Sequence, residues 1–352
     1  MKSICVLSIL FLISNHVVCE AQSKRDFRAV TIAFYNLENL FDFEDDPITF
    51  DDDRTPDGKD RWTEPIYWNK VRNMAKVLSE VGRELSGSAP AIIGVCEIEN
   101  RRVLEDLINT NELEPENYGI VHFDSPDRRG IDVALLYKKN VFIPTHTKSV
   151  ALLIYSDNDA TKRIYTRDQL VISGVLSGEK IHIIVNHWPS RSGGEARSRP
   201  KRIKAAKLNK RLIDSLWSID PYAKIITMGD LNDDPTSPSV KKFLKTHSSK
   251  SRSQLKSLYN PMEGMFKKGL GTLAWRDGWN LFDQIIISSE LLSDDYSSYR
   301  FFTAGIFNKN YLINSKGRYK GYPFRSFSDE GFTGGYSDHF PVYIVLIKEI
   351  TD

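Results

Sequence analysis

Ile225-Ile226-Thr227-Met228-Gly229-Asp230-Leu231-Asn232 is a short apolar run that stops in a carboxylate and a carboxamide. Up to Met228 it has the length and the β-branched, apolar make-up of a buried strand, and Gly-Asp reads as the turn that ends it. A buried strand has no reason of its own to finish in groups that must be hydrated or paired. The ending therefore marks an edge of a sheet where polar groups are wanted.

Four other apolar stretches carry the same signature. Asn36-Leu37-Glu38-Asn39 follows Val30–Tyr35, Glu97 follows Ile92–Cys96, and Asn186-His187-Trp188-Pro189 follows Ile181–Val185. Ser337-Asp338-His339 precedes the last strand, Phe340–Ile347. Taken singly, each is a solvated strand end or a turn. Taken together they are an oxygen-rich, thiol-free set of carboxylates, imidazoles and carboxamides at strand ends, which one sheet edge can bring together. Such donors suit Mg²⁺ or Mn²⁺ better than structural zinc, with Ca²⁺ a further candidate, and a cation so held is suited to phosphate-ester chemistry.

The rest of the chain fills in a globular frame. Its 352 residues, 41% apolar and 27% charged, fit one large domain or two modest ones and exclude a disordered or collagenous chain. With 48 Lys+Arg against 46 Asp+Glu, net charge alone does not argue for nucleic acid. Apolar residues at helical spacing predict a helix over Ile66–Leu85, with further helices over Val103–Ile108 and Pro200–Trp217, the last with a basic face of Lys201, Arg202, Lys204, Lys207, Lys210 and Arg211. Strands are expected at Ala91–Cys96, Ile131–Tyr137, Gln169–Leu176, Ile181–Asn186 and Leu281–Ser288. Strands joined by short turns as well as by helices favour two packed sheets with helices outside over one parallel sheet. The acidic stretch Asp42–Asp60, broken by Pro47, Pro56 and Gly58, reads as a solvated loop, and the Lys/Ser-rich residues 245–260 as a flexible surface insertion.

The N-terminus reads as a targeting segment. Lys2, the apolar run Ile4–Ile13 and the ending Val17-Val18-Cys19-Glu20-Ala21 describe a secretory signal peptide over 1–21, too short for a membrane span. Lipid anchoring through Cys19 ranks second, because Val18 stands where a small residue is wanted. The expected mature protein, residues 22–352, is one exported, periplasmic or extracellular domain. It keeps a single cysteine, Cys96, so no internal disulfide is expected.

At this point the residues resemble a family. Tyr35-Asn36-Leu37-Glu38-Asn39, Cys96-Glu97-Ile98-Glu99, Asn186-His187-Trp188, Gly229-Asp230-Leu231-Asn232, Phe282-Asp283-Gln284-Ile285 and Ser337-Asp338-His339-Phe340-Pro341 are similar, in order, to the motifs of the endonuclease/exonuclease/phosphatase superfamily. That superfamily includes pancreatic-type deoxyribonucleases, abasic-site endonucleases, bacterial sphingomyelinases and inositol-polyphosphate 5-phosphatases. The acidic loop and Trp62-Thr63 with Trp68 look most like secreted bacterial members. The resemblance implies a four-layer α/β sandwich, two packed mixed sheets with helices on the outer faces. It implies metal-region roles for Asn36, Glu38, Glu97 and Asp338. Asp230 would be the base that activates water, Asn232 would orient it, and His339, held by Asp283, would bind phosphate oxygens together with His187. Asp132 is a weaker candidate partner for His187.

The leading expectation is thus a secreted, Mg²⁺-dependent phosphodiesterase, a nuclease acting on DNA or RNA as a monomer without an implied protein partner. A sphingomyelinase-like or inositol-phosphate phosphoesterase is the second reading; it would use exposed aromatic residues such as Tyr311, Tyr319, Tyr322, Phe324 and Phe327 against a phospholipid. A catalytically inactive binding module is the third. Retention of the whole polar set argues against it.

Overall fold

A computed structural model describes residues 25–350 apart from Asp157 and Glu330; the expected signal segment lies outside the described residues. The chain enters a first sheet with β1 (Phe27–Leu40), β2 (Ile92–Ile98), β3 (Tyr118–His122) and β4 (Asp132–Lys138). It crosses to a second sheet for β5 (Phe142–Val150), β6 (Gln169–Leu176), β7 (Glu179–His187) and β8 (Ile225–Asp230). The same sheet takes the two-residue strands β9 (Thr246–His247) and β10 (Leu258–Tyr259), and then β11 (Asp283–Ser288). The chain returns to the first sheet for β12 (Arg300–Ile306) and β13 (Val342–Glu349). The 6-stranded sheet runs β12-β13-β1-β2-β4-β3 and the 7-stranded sheet β9-β10-β11-β8-β7-β6-β5. Near the centre of each lies a parallel pair, β1 with β2 and β7 with β8, flanked by antiparallel neighbours.

Period-two alternation along the strands builds the layers. On β1, Ile32 and Phe34 face inward with Ile183, Val185, Ile226, Met228 and Ile344 in the core between the sheets. Ala33 and Tyr35 face outward, where α1 (Glu64–Glu80) and α2 (Arg101–Ile108) cover them with Val71, Met74, Leu78, Val103 and Leu107. On the other side, Val171, Ile184, Ile225 and Ile286 point away from the centre and meet Ala205, Leu212, Ile213 and Trp217 of α3 (Glu195–Ile219). Helix, sheet, sheet, helix is the four-layer sandwich expected from the sequence.

Three details depart from the sequence reading. The first helix stops at Glu80, and Arg83–Ser86 forms a separate turn, because Gly82 takes φ +68° against the side chain of Thr31. A Cβ there would lie 2.5 Å from the Thr31 methyl carbon, so this bend needs glycine. The helix expected from Pro200 begins earlier, at Glu195; Ser198 Oγ donates to Gly194 O at 2.7 Å in its first turn, and Pro200 lies inside it. Finally, residues 245–260 are not all loop, since β9 and β10 extend the second sheet at its edge.

Candidate active site

Topology gathers the polar strand ends. Because β1 and β2 are parallel, Asn36 lies beside Cys96 and next to Glu97. Because β7 and β8 are parallel, Asp230 lies beside His187. The antiparallel β11 begins where β8 ends, with Asp283 opposite Asp230. β13 likewise begins opposite Phe34 of β1, which puts Ser337-Asp338-His339 at the same edge. Gly229 lets β7 and β8 approach closely here: a Cβ would lie 2.2 Å from the carbonyl oxygen of Asn186.

The backbone bends sharply where the strands end. Glu38, Asn39, Glu97 and Asn232 all take positive φ, between 48° and 58°. Conformations of this kind are uncommon for residues with a side chain and persist only where the surroundings hold them. The site's own side chains do the holding. Asn36 Oδ1 accepts from the Glu38 amide at 2.9 Å, Glu97 Oε2 from the Asn39 amide at 3.1 Å, and Asp230 Oδ1 from the Asn232 amide at 2.9 Å.

The remaining atoms of these groups converge. Asn36 Nδ2 donates to Asp230 Oδ2 at 3.1 Å. His187 Nε2 lies 3.7 Å from both Glu97 Oε1 and Asp230 Oδ2. His339 Nε2 stands 4.0 Å from Asp230 Oδ2, while its Nδ1 is 2.6 Å from Asp283 Oδ2. Asn232 Nδ2 donates to Trp188 O at 3.1 Å. Asn36, Glu97, His187, Asp230, Asn232, Asp283 and His339 are therefore brought together, and Asp338 lies at their rim with Arg325 Nη2 3.6 Å from its Oδ2.

Charge divides the two imidazoles. Burial alone would lower the pKa of His339, but the Asp283 carboxylate overrides it and holds the imidazolium well above its ordinary range. Burial drives His187 well below, reinforced by the Arg167 and Arg129 guanidinium groups. Burial also lifts Asp230 to about 7, with Asp283 and Glu97 adding repulsion that His339 offsets in part.

Two expected roles need correction. Glu38 turns away from this cluster: its carboxylate meets Arg325 Nε at 3.1 Å and the Ser326 amide at 2.6 Å, and its carbonyl accepts from Lys70 Nζ. Its first task is to tie the 311–336 loop to β1. Asp132 does not orient His187; it meets His122 Nε2 at 2.9 Å and the Ser125 amide at 2.7 Å. His187 Nδ1 is buried and has no partner among the described residues.

Lys70, Arg325 and Arg167 were not singled out in the sequence. Arg167, nearly buried, pairs with Asp127 at 3.0 Å and donates to Trp188 O at 2.6 Å, bringing positive charge beside His187. A cation immediately before an apolar strand, Thr166-Arg167-Asp168 before Gln169, was the available signal.

The residues fit a divalent cation. Among the described residues, the ion-pair neighbours of Glu97 and Asp230 are the two imidazoles, of which burial holds His187 neutral. Glu97, half-buried, has only the neutral His187 as an ion-pair neighbour among the described residues, and a carboxylate so placed is one a divalent cation takes. Ligand-type atoms of Cys96, His187 and Asp230, and likewise of Asp230, Asp283 and His339, lie within 4.8 Å of one another. Burial pushes the Cys96 thiol well up, so it stays protonated and the oxygen donors of Glu97 and Asn36 are the better ligands.

With this geometry in view, the chain belongs to the endonuclease/exonuclease/phosphatase family, whose model matches residues 31–348. No curated protein matches it by sequence. Among solved structures it is similar to an endonuclease/exonuclease/phosphatase family protein from Bacteroides thetaiotaomicron, with TM-score 0.55, 16% identity, and coverage of 93% of this chain and 100% of that one. It is similar to a mannosyl-6-phosphatase of the same organism, with TM-score 0.54, 17% identity, and coverage of 90% and 99%. A third is D. rerio TDP2 complexed with a single strand DNA product, with TM-score 0.50, 13% identity, and coverage of 90% and 98%. At these identities the likeness is one of fold. Fold, family and the clustered acid and imidazole groups are those of a metal-dependent phosphoesterase.

Proposed function

We propose that the protein is a metal-dependent phosphodiesterase acting on nucleic acid, exported after removal of residues 1–21, with residues 22–352 as one catalytic domain. The observation that carries the chemistry is the paired arrangement of Asp230, bonded to Asn36, and His339, bonded to Asp283, on one sheet edge. Asp230, with a pKa near neutrality, takes a proton from water when ionised. Asn36 fixes one of its oxygens and the Asn232 amide the other, so the base has one orientation. His339, kept protonated by Asp283, places N–H and charge on a phosphate oxygen as negative charge develops there. His187, kept neutral, offers Nε2–H at the same opening. Glu97, Asn36 and Asp338 would hold the cation, which neutralises the phosphodiester and polarises its phosphorus–oxygen bonds.

A row of rings beside His339 supports the substrate class. Phe340 stacks on Trp279 at 6.1 Å, Trp279 meets Tyr322 at 5.9 Å, and Tyr322 meets Tyr319 at 5.8 Å. The row runs from the buried site to solvent, and Arg318 lies over the Tyr319 ring. Trp279 and Tyr319 are exposed, with the half-buried Tyr322 between them and a cation over the outermost ring, a surface that suits stacked bases on a phosphate backbone. The single strand DNA product complexed with D. rerio TDP2, a protein of the same fold, agrees with this reading. The membrane reading loses most of its residues: Phe327 is buried under Trp62, Phe324 packs on Tyr336, and Tyr311 donates to Glu80 at 2.7 Å.

The test is a substrate panel: mature protein with Mg²⁺, Mn²⁺ or Ca²⁺ against plasmid, single-stranded DNA, RNA, sphingomyelin, inositol phosphates and mannose 6-phosphate. Nucleic acid is expected to be cleaved fastest. Cleavage of sphingomyelin or a sugar phosphate with nucleic acid left intact would overturn the assignment.

A further inference from the structure

The net charge of +2 hides a strong separation of charge. Residues 196–213 and 239–258 contain no acidic residue, yet together they carry 14 of the 48 lysines and arginines. The acidic stretch Asp42–Asp60 instead follows β1 and leads into α1 over the first sheet. The two basic segments are neighbours in space. The 239–243 turn packs on α3, with Lys207 Nζ 5.1 Å from the Phe243 ring centroid.

Between them lies a cleft of about 710 Å³, lined by Lys210, Lys245, His247, Arg252 and Lys256, with Ser251 and Ser257 between the cations and no carboxylate in its wall. Lys245, Arg252 and Lys256 are exposed and form no ion pair among the described residues. Lys210 pairs with Asp214, which sits one turn along α3. Lys245 and Lys256 both take positive φ, which turns the chain at each end of the insertion.

The cleft is separate from the catalytic edge but connected to it. α3 starts beside the site, where Arg191 Nε donates to Asn232 O at 2.9 Å and Arg202 Nε meets Asp233 at 2.7 Å. Lys210 is eight residues beyond Arg202, about 12 Å along the helix axis. Arg202 itself is buried on Asp233 and takes no part in the exposed face, whereas Lys204 and Lys207 are exposed between the two ends.

We propose that this cleft is an exosite for the phosphate backbone of a nucleic-acid strand whose scissile bond lies at His339. The inference rests on the nucleic-acid reading above and adds a second point of contact to it. Serine hydroxyls and unpaired cations without an opposing carboxylate are what a chain of phosphates requires. Leu258 in the cleft wall pairs with Ser288, five residues and about 17 Å along β11 from Asp283, so at about 3.4 Å per nucleotide a strand needs at least roughly five nucleotides to reach from the catalytic edge to the cleft. Short oligonucleotides then meet only the catalytic cleft, and longer ones meet both.

The experiment compares the full mature protein with a Lys245→Ala/Arg252→Ala/Lys256→Ala variant. Binding of fluorescein-labelled oligodeoxythymidylates, 4 and 24 nucleotides long (roughly the length that spans one site and both), is followed by anisotropy in EDTA, where no turnover occurs. The variant is expected to bind the 24-mer at least tenfold more weakly and the 4-mer unchanged, and the slope of log K on log salt should fall by about 2. Hydrolysis of bis(p-nitrophenyl) phosphate with metal should stay within about twofold of the parent, showing the site intact. Unchanged 24-mer affinity and slope would overturn the exosite, as would equal losses on both lengths. Loss of binding to phosphatidylglycerol vesicles with oligonucleotide binding retained would overturn it in favour of a membrane surface. Should the parent bind the 24-mer through the cleft yet cleave no nucleic acid, the exosite stands and the nuclease reading fails.

Discussion

The Asp283–His339 pair makes the sharpest claim about the chemistry. Asp283 is fully buried, His339 nearly so, and 2.6 Å separates Nδ1 from Oδ2. Asp283→Asn keeps the shape and removes the charge. Burial then opposes the imidazolium with only the weaker pull of Asp230 and Asp338 against it, so its pKa falls and less cation is supplied to the phosphate. The expected loss in kcat is about 10²–10⁴-fold, or about 3–5 kcal/mol. His339→Ala should lose about as much, and the double variant little more than His339→Ala alone, because Asp283 acts chiefly through the ring, its direct repulsion of Asp230 being the smaller effect. Steady-state rates on one oligonucleotide and on bis(p-nitrophenyl) phosphate give the cycle. Multiplicative losses on both substrates would refute the pairing and leave Asp283 an ordinary strand-end carboxylate.

The pH profile supplies an independent check. Asp230 works ionised, above its pKa of about 7, and His339 works protonated, below its own raised pKa. Asp283→Asn removes the attraction that raises His339, so the basic limb should move to lower pH, while on the acid limb the lost Asp283 repulsion and the lost imidazolium charge act on Asp230 in opposite directions. His339→Ala removes a positive neighbour of Asp230 instead, so the acid limb of its residual activity should move to higher pH. A basic limb that moves to lower pH in Asp283→Asn is the signature; a basic limb that stays in place contradicts the assigned pairing.

Three more outcomes are expected. EDTA should abolish hydrolysis, and Glu97→Gln should lower activity severely at fixed metal concentration while leaving the melting temperature within a few degrees; full turnover in EDTA would remove the metal site. Gly229→Ala should destabilise the fold by about 1–3 kcal/mol or more in urea denaturation, because its Cβ meets the Asn186 carbonyl across β7 and β8. Intact-mass analysis of the exported product should place the N-terminus within a few residues of Ala21; a product that keeps residues 1–19 would contradict the export reading.

The fold was legible because strand length and polar endings are local properties. Ile225–Asn232 and Ile92–Glu97 announce both the strand and the edge at which it stops. What sequence could not supply were partners chosen by tertiary contact. Glu38 looks like a metal-region acid beside Asn36, but its partner Arg325 is 287 residues away on a loop. Asp132 was matched to the wrong histidine for the same reason, because antiparallel pairing of β3 with β4 puts His122 nearer than His187. Arg202 has the spacing of the solvated face of α3, yet it is buried on Asp233, a contact that the helix pattern alone does not reveal.

One consequence of the architecture is that chemistry and backbone geometry share the same atoms. Asp230 uses Oδ1 to hold the Asn232 amide and Oδ2 to receive Asn36 Nδ2. An Asp230→Asn substitution, isosteric though it is, must turn an NH₂ toward one of these donors. If it faces Asn36, that carboxamide can flip to accept, but its Oδ1 then abandons the Glu38 amide, which is held at φ 49°. If it faces Asn232, the bend that carries Asn232 into the site loses its bond. In either case the change reaches a second strained residue. A buried donor left without an acceptor costs about 1–3 kcal/mol, so part of any activity lost on neutralising Asp230 is loss of geometry. Removal of the base is therefore best read beside a stability measurement, whereas Asp283→Asn, whose altered contact is with a side chain alone, reports on the chemistry more directly.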